Sequence, residues 1–202
     1  MSPASTTNDL TSLSMIFGLA TDNASKAITQ WTSGSISLAL DDVCEVALEE
    51  AVPRLGIGDE PAAMIVLGIE GDLTGDIVLI FDESDAREMC AELTGQQPDF
   101  DSPWSELEQS ALMETGNILG SAYLNILTRY LGQQLTPTPP YFVQDFGPSV
   151  LDQVLMPHAM TSETVFVSRT TFLRRDGKVL NGNVFVIPTT DLKDAMQTVI
   201  DG

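Results

Sequence analysis

GDIVLIFDESDAREM at residues 75–89 and GNVFVIPTTDLKDAM at residues 182–196 are one pattern written twice. Each copy opens on glycine, passes through a five-residue apolar run, and crosses a polar junction into a helical pattern that ends on methionine. The offset between them is 107 residues. Earlier in each half a second correspondence appears at an offset of 98, pairing Ser12 with Ser110, Gly18 with Gly116, Ala24 with Ala122 and Gly34 with Gly132. The second half therefore carries nine extra residues in its middle.

Working outward from these anchors, each half repeats one order of elements. Residues 10–32 have a helical period ended by Gly34. SISLAL at 35–40 is extended, and the acidic stretch DDVCEVALEEA follows, broken by Pro53. Strands are expected at 62–69 and 77–81, then a helix at 83–95 with Gly95 as its stop. QQPDFDSP at 96–103 is a connector. In the second half Ser102 is a candidate cap with Pro103 at the first helical position, and the helix runs from 104 to Gly132. QLTPTPPYFVQDF at 134–146 is extended and proline-broken. Strands at 164–173 and 182–188 flank a turn at Asp176-Gly177, which argues for antiparallel pairing. A last helix at 190–200 has Thr190 or Asp191 as its expected cap.

Neither half alone could cover both its sheet and its helix. The expected architecture is a single α+β domain spanning 10–202, with pseudo-repeats at 10–95 and 104–200. Two long helices pack on a mainly antiparallel sheet about a pseudo-twofold axis. Residues 1–9 read as a disordered lead-in.

Composition narrows the function. Of 202 residues 43% are hydrophobic, enough for a real core, yet no apolar run approaches the roughly 20 residues of a membrane span. The first residues lack the basic-then-apolar order of a secretory signal, so a cytoplasmic location is expected. With 29 acidic and 9 basic residues the net charge is −20. That balance excludes nucleic acid, which needs a basic footprint, and disfavours anionic membranes. The acidity reads first as a solubilising surface, with a basic partner as the sharper alternative. Cys44 and Cys90 lie in apolar patterns and are expected to be buried free thiols. His158 stands alone in a loop, which argues against both a zinc site and a histidine-based triad.

The chemistry-bearing stretch is SALMETGN at 110–117. Ser110, Glu114 and Asn117 stand at i, i+4 and i+7 and so share one helix face, continued by Ser121 and Asn125. Leu112, Leu119, Ala122, Ile126 and Tyr130 lie opposite. A plain solvated stripe is the bland reading. Against it stand Asn117, a poor helix former, and Gly116, which costs roughly 1 kcal/mol relative to Ala. Gly116 is expected to let another surface approach closely.

The spacing Ser110-x3-Glu114-x2-Asn117, followed by Pro140, resembles the signature of the CheC/CheX/FliY phosphatases. EGDLTGDIVLIF at 70–81 and the two-half layout extend the likeness over about residues 10–200, closest to a stand-alone CheC-like protein. With no further domain after it, the chain looks unlike the flagellar-switch proteins FliY and FliM. The resemblance implies a hydrolase acting on the aspartyl phosphate of a CheY-type response regulator. Asn117 would orient the attacking water, and Glu114 would contact the regulator's lysine, with Ser110, Gly116 and Pro140 in the binding surface. Magnesium would be held by the regulator, leaving this chain with no metal or cofactor of its own. A non-catalytic adaptor that binds a response regulator or a CheD-type deamidase is the alternative. In the first half the equivalents of the three signature residues are Ser12, Ile16 and Leu19, and Asp42 stands where the proline would be. One working site is therefore expected, with Ile16 and Leu19 packed in the core.

Overall fold

The two copies of the repeat meet at their apolar strands. The computed structural model describes residues 6–51, 60–146, 149, 155–156 and 164–201. In chain order the long helix α1 (Thr6–Trp31) leads into β1 (Ile36–Ala47) and a 3-10 turn at Leu48–Glu50. Strands β2 (Pro61–Gly71) and β3 (Gly75–Asp82) form a hairpin, followed by α2 (Glu83–Thr94). The second half contributes α3 (Glu106–Leu131), β4 (Leu135–Pro137), β5 (Tyr141–Phe146), β6 (Thr164–Arg174), β7 (Val179–Pro188) and α4 (Thr190–Asp201).

All strand pairs are antiparallel, in the order β1-β6-β7-β3-β2-β4, with β5 also on β2. At the centre Val78 pairs with Phe185, and these two residues are equivalents at the 107-residue offset. The pseudo-twofold axis therefore passes through this pair. The outer strands are exchanged. β1, from the first half, pairs with β6 of the second, whereas β4 and β5 pair with β2 of the first. Both outer stretches are twelve residues long, at 36–47 and 135–146. Where β1 has a bulge between Leu40 and Asp42, the other stretch is broken before Tyr141 by Pro139 and Pro140.

Alternation along the strands divides the core in two. Ala63, Ile65, Leu67, Leu79, Phe81, Val184 and Val186 face the helices, where they meet Phe17, Ile28, Leu119, Tyr123 and Leu127. Ala62, Met64, Val66, Val78, Ile80, Val165, Phe185 and Ile187 form a separate cluster on the reverse face with Ala51 and Leu155. Burial on both faces is why the central strands read as continuous apolar runs. Phe17 of α1 packs on Phe166 of β6, with ring centroids 6.0 Å apart. The two long helices are joined by Thr21 Oγ1 and Tyr123 Oη at 2.6 Å and by Asn23 Nδ2 donating to the Ala122 carbonyl at 2.8 Å.

The glycines read as helix stops, Gly34, Gly95 and Gly132, adopt φ of 81°, 69° and 66°. Several expected boundaries move. α1 starts at Thr6, four residues ahead of the helix expected from residue 10. β1 continues through Ala47, carrying the acidic stretch into the sheet. There Asp42 pairs with Arg169 at 2.8 Å and Glu45 with Lys193 at 2.7 Å. α4 begins at Thr190, so the flanking position is Thr189, whose hydroxyl donates to the Thr74 carbonyl. Cys90 is buried and free, and burial pushes its thiol up to about 12. Cys44 is only half-buried, because β1 is an edge strand. His158 and Pro53 lie outside the described residues.

Candidate functional site

The reactive-looking face begins where α3 is anchored. Ser105, not Ser102, caps the helix. Its hydroxyl accepts from the Glu108 amide at 3.3 Å, and its own amide donates to Glu108 Oε2 at 2.9 Å. This reciprocal pair satisfies two otherwise unpaired amides, and Ser105-x-x-Glu108 carries its sequence signature. Pro103 therefore precedes the helix instead of opening it. The Ser102 carbonyl accepts from Arg87 Nη2 at 2.7 Å.

Arg87 comes from α2 and is almost wholly buried. It pairs with Glu108 at 3.0 Å and Glu83 at 3.1 Å, and its guanidinium lies 3.9 Å from the centre of the Trp104 ring. Trp104 packs in turn against Phe142 of β5, with centroids 5.2 Å apart. Burial works against the Glu108 carboxylate, but the Ser105 amide and hydroxyl and the Arg87 charge outweigh it and hold its pKa below the ordinary 4.5. A carboxylate with a depressed folded-state pKa contributes stability that is present above its unfolded value and lost as pH falls through the folded one. Glu108→Gln should therefore lower the unfolding midpoint at neutral pH and flatten its decline below about pH 4.5, read from thermal melts across pH.

Two turns on, Ser110 and Glu114 are exposed and Asn117 is half-buried, all on the one side of α3 that sequence spacing placed them on. None of the three side chains has a hydrogen bond or ion pair to another described residue. Asn117 lines an open groove of about 460 Å³ between α1 and α3, with Ile118, Ser121 and Asn125 from its own helix. The opposite wall is Asn23, Lys26, Ala27 and Gln30 of α1. These α1 residues were not anticipated from sequence. Their signal was the polar spacing of Asn23, Lys26 and Gln30, at i, i+3 and i+7.

Other expected site residues sit elsewhere. Gly116, expected to admit a partner, is buried on the sheet side of α3. A Cβ there would overlap Cγ2 of Ile65 and lie 3.6 Å from Leu67 Cδ1. The close approach it permits is to β2. Gly116→Ala should cost roughly 1–3 kcal/mol by overpacking, read as a shift in the urea midpoint, because β-branched Ile65 has little room to move. Pro140 stands in the break between β4 and β5, half-buried at the sheet edge and two residues from Phe142.

On the pseudo-equivalent face of α1, Ile16 is core, at 1% exposure. Leu19 is 37% exposed and does not pack in the core as expected; it lies at the rim of the apolar stripe, one turn from exposed Met15. Ser12 falls on α1, its side chain outside what the structure describes. No helix among the described residues is long and apolar enough to cross a membrane.

The chain is similar to known proteins over most of its length. A sequence profile of the CheC-like family matches residues 107–143, the segment holding Ser110, Glu114, Asn117 and Pro140. The CheY-P phosphatase CheC of Bacillus subtilis is 30% identical over 173 residues, covering 84% of this chain and 82% of that protein. This chain belongs to the CheC-like family. The fold is shared with FliY of Thermotoga maritima (TM-score 0.77, 15% identity, 98% of each chain). It is shared also with the CheX–CheY–BeF3–Mg+2 complex from Borrelia burgdorferi (TM-score 0.55, 19% identity, 85% of this chain and 97% of that one).

Proposed function

We propose that this protein is a phosphatase for the aspartyl phosphate of a CheY-type response regulator, with its working site on α3. The observation that carries this reading is the pair Glu114 and Asn117, presented on one rigid face with neither side chain engaged by another described residue. Asn117 has no partner among the described residues and lines an open groove, so its carboxamide is available to a water or to a docking partner. The name of the Bacillus subtilis relative supports the substrate class, and the solved CheX complex, which contains CheY, supports the partner.

In this reading the Asn117 carboxamide holds a water in line with the phosphorus. The water oxygen forms the new bond to phosphorus, the bond to the aspartate oxygen breaks, and inorganic phosphate leaves with the regulator carboxylate restored. An acyl phosphate is already activated, so positioning supplies much of the acceleration. Glu114 makes a charge-assisted contact to a regulator lysine and sets the docking register. Magnesium belongs to the regulator. A non-catalytic adaptor would have no use for a free carboxamide one turn beyond a docking carboxylate. The test is the decay rate of CheY-type receiver domains phosphorylated with acetyl phosphate, with and without this protein. Acceleration of at least one supports the reading; unchanged decay across a panel from the same genome overturns it.

A further inference from the structure

We propose that Lys26, on the opposite helix, is a second docking residue of this site, contacting an anionic oxygen of the bound regulator beside the group that Asn117 serves. The inference deepens the phosphatase reading and rests on it. Its starting point is a census of cations in a very acidic chain. Arg87, Arg169, Arg174, Lys178 and Lys193 are all in ion pairs, and Arg175 donates to the carbonyls of Ser33 and Gly34. Among the described residues only Lys26 and Arg129 have no partner. Asp22 stands one helical turn before Lys26, at the spacing where an acid and a lysine can pair, yet the two form no ion pair.

Position separates the two free cations. Lys26 lines the groove that Asn117 lines, across from it on α1, whereas Arg129 lies outside that groove. Lys26 also borders a second depression of about 580 Å³ with Asp22, Ser25, Thr29 and Gln30, so it stands on the ridge of α1. An exposed ammonium on a four-carbon stem can follow a ligand without rebuilding the helix. The object docking here is a phosphorylated carboxylate, strongly anionic, meeting a protein of net charge −20. Glu114, the docking residue assigned above, suits a cation and repels that anion. A cation across the groove corrects the local field where the phosphoryl group must come to rest. The internal repeat gives no hint of this role, because the equivalent of Lys26 at the 98-residue offset is Leu124, a buried residue.

The test compares Lys26→Glu, Lys26→Arg and Arg129→Glu in the full chain, using the receiver domain that responds to wild type. Lys26→Glu should lower kcat/KM on the order of tenfold or more, chiefly through KM, as for loss of a charged hydrogen bond. It should also weaken the dependence of kcat/KM on added salt. Lys26→Arg should restore activity, and Arg129→Glu, an identical charge change outside the groove, should leave it unchanged. Affinities for the receiver with and without beryllofluoride identify the oxygen. A loss only with beryllofluoride marks the phosphoryl group, and a loss in both marks a regulator carboxylate. Wild-type activity in Lys26→Glu, or an equal loss in Arg129→Glu, overturns the inference while leaving the phosphatase reading intact. Failure of wild type to accelerate any receiver overturns both.

Discussion

Asn117→Ala is expected to reduce the acceleration of regulator dephosphorylation on the order of 10²-fold or more, as for removal of one oriented catalytic donor. The rest of the protein should not register the change. Asn117 is half-buried and makes no hydrogen bond to another described residue, so truncation orphans no partner among them. Alanine is the better helix former by up to about 0.7 kcal/mol, so the variant should melt at or slightly above the wild-type temperature. Rate and stability therefore move in opposite directions, and this is the signature to look for. Loss of a radiolabelled phosphoryl group from the receiver gives the rate, and a thermal melt gives the stability. A variant that melts normally and still accelerates decay like wild type removes Asn117 from the mechanism. Glu114→Ala should act differently, raising KM as well as lowering the rate, because its contact sets the docking register.

Arg87→Ala is expected to carry the largest stability loss, roughly 3–5 kcal/mol, the range for breaking a buried ion pair from one side. The guanidinium is 2% exposed and holds Glu83, Glu108 and the Ser102 carbonyl together while covering Trp104. Removing it leaves two carboxylates facing each other across the α2–α3 junction and opens space beside the indole. Urea unfolding monitored by tryptophan fluorescence measures the loss directly. Because Glu108 completes the cap of α3, the same variant should also lower phosphatase activity near its melting range, though Arg87 is remote from the regulator in this reading. A shift in midpoint under about 1 kcal/mol would show that the cluster is not the clamp described here.

The repeat made much of the fold legible. Its 107-residue offset carries the start of α2 at Glu83 onto the start of α4 at Thr190, and it brings the axis onto Val78 and Phe185. What it left open was the exchange of outer strands. Internal similarity says which segments are equivalent, but not which copy each will pair with. The cap of α3 was misplaced because two serines and a proline compete within four residues; the Glu three positions after Ser105 was the deciding feature. Gly116 was assigned to the wrong surface because it is adjacent in sequence to Asn117, and adjacent residues on a helix point about 100° apart. Leu19 illustrates the same limit at the other long helix. An apolar residue at the rim of a stripe can be read as core from its spacing, and only the packed neighbours decide its exposure. The groove was invisible because it is made by two helices together, and the period of either helix alone does not say which residues of the other it will face, even though Asn23 and Ala27 are the repeat mates of Ser121 and Asn125 across it.

The seat of α3 has a further consequence. The helix bearing Glu114 and Asn117 belongs to the second half, but Gly116 and Gly120 rest on Ile65 and Leu67, which the first half supplies. The half that lacks the Glu and Asn is thus the floor under the half that has them. A fragment holding only the second half would contain every signature residue and have nothing to hold them level. The apparently spent copy cannot be discarded, and its sheet is under the same pressure to persist as the working helix, even with its own helix face free to drift.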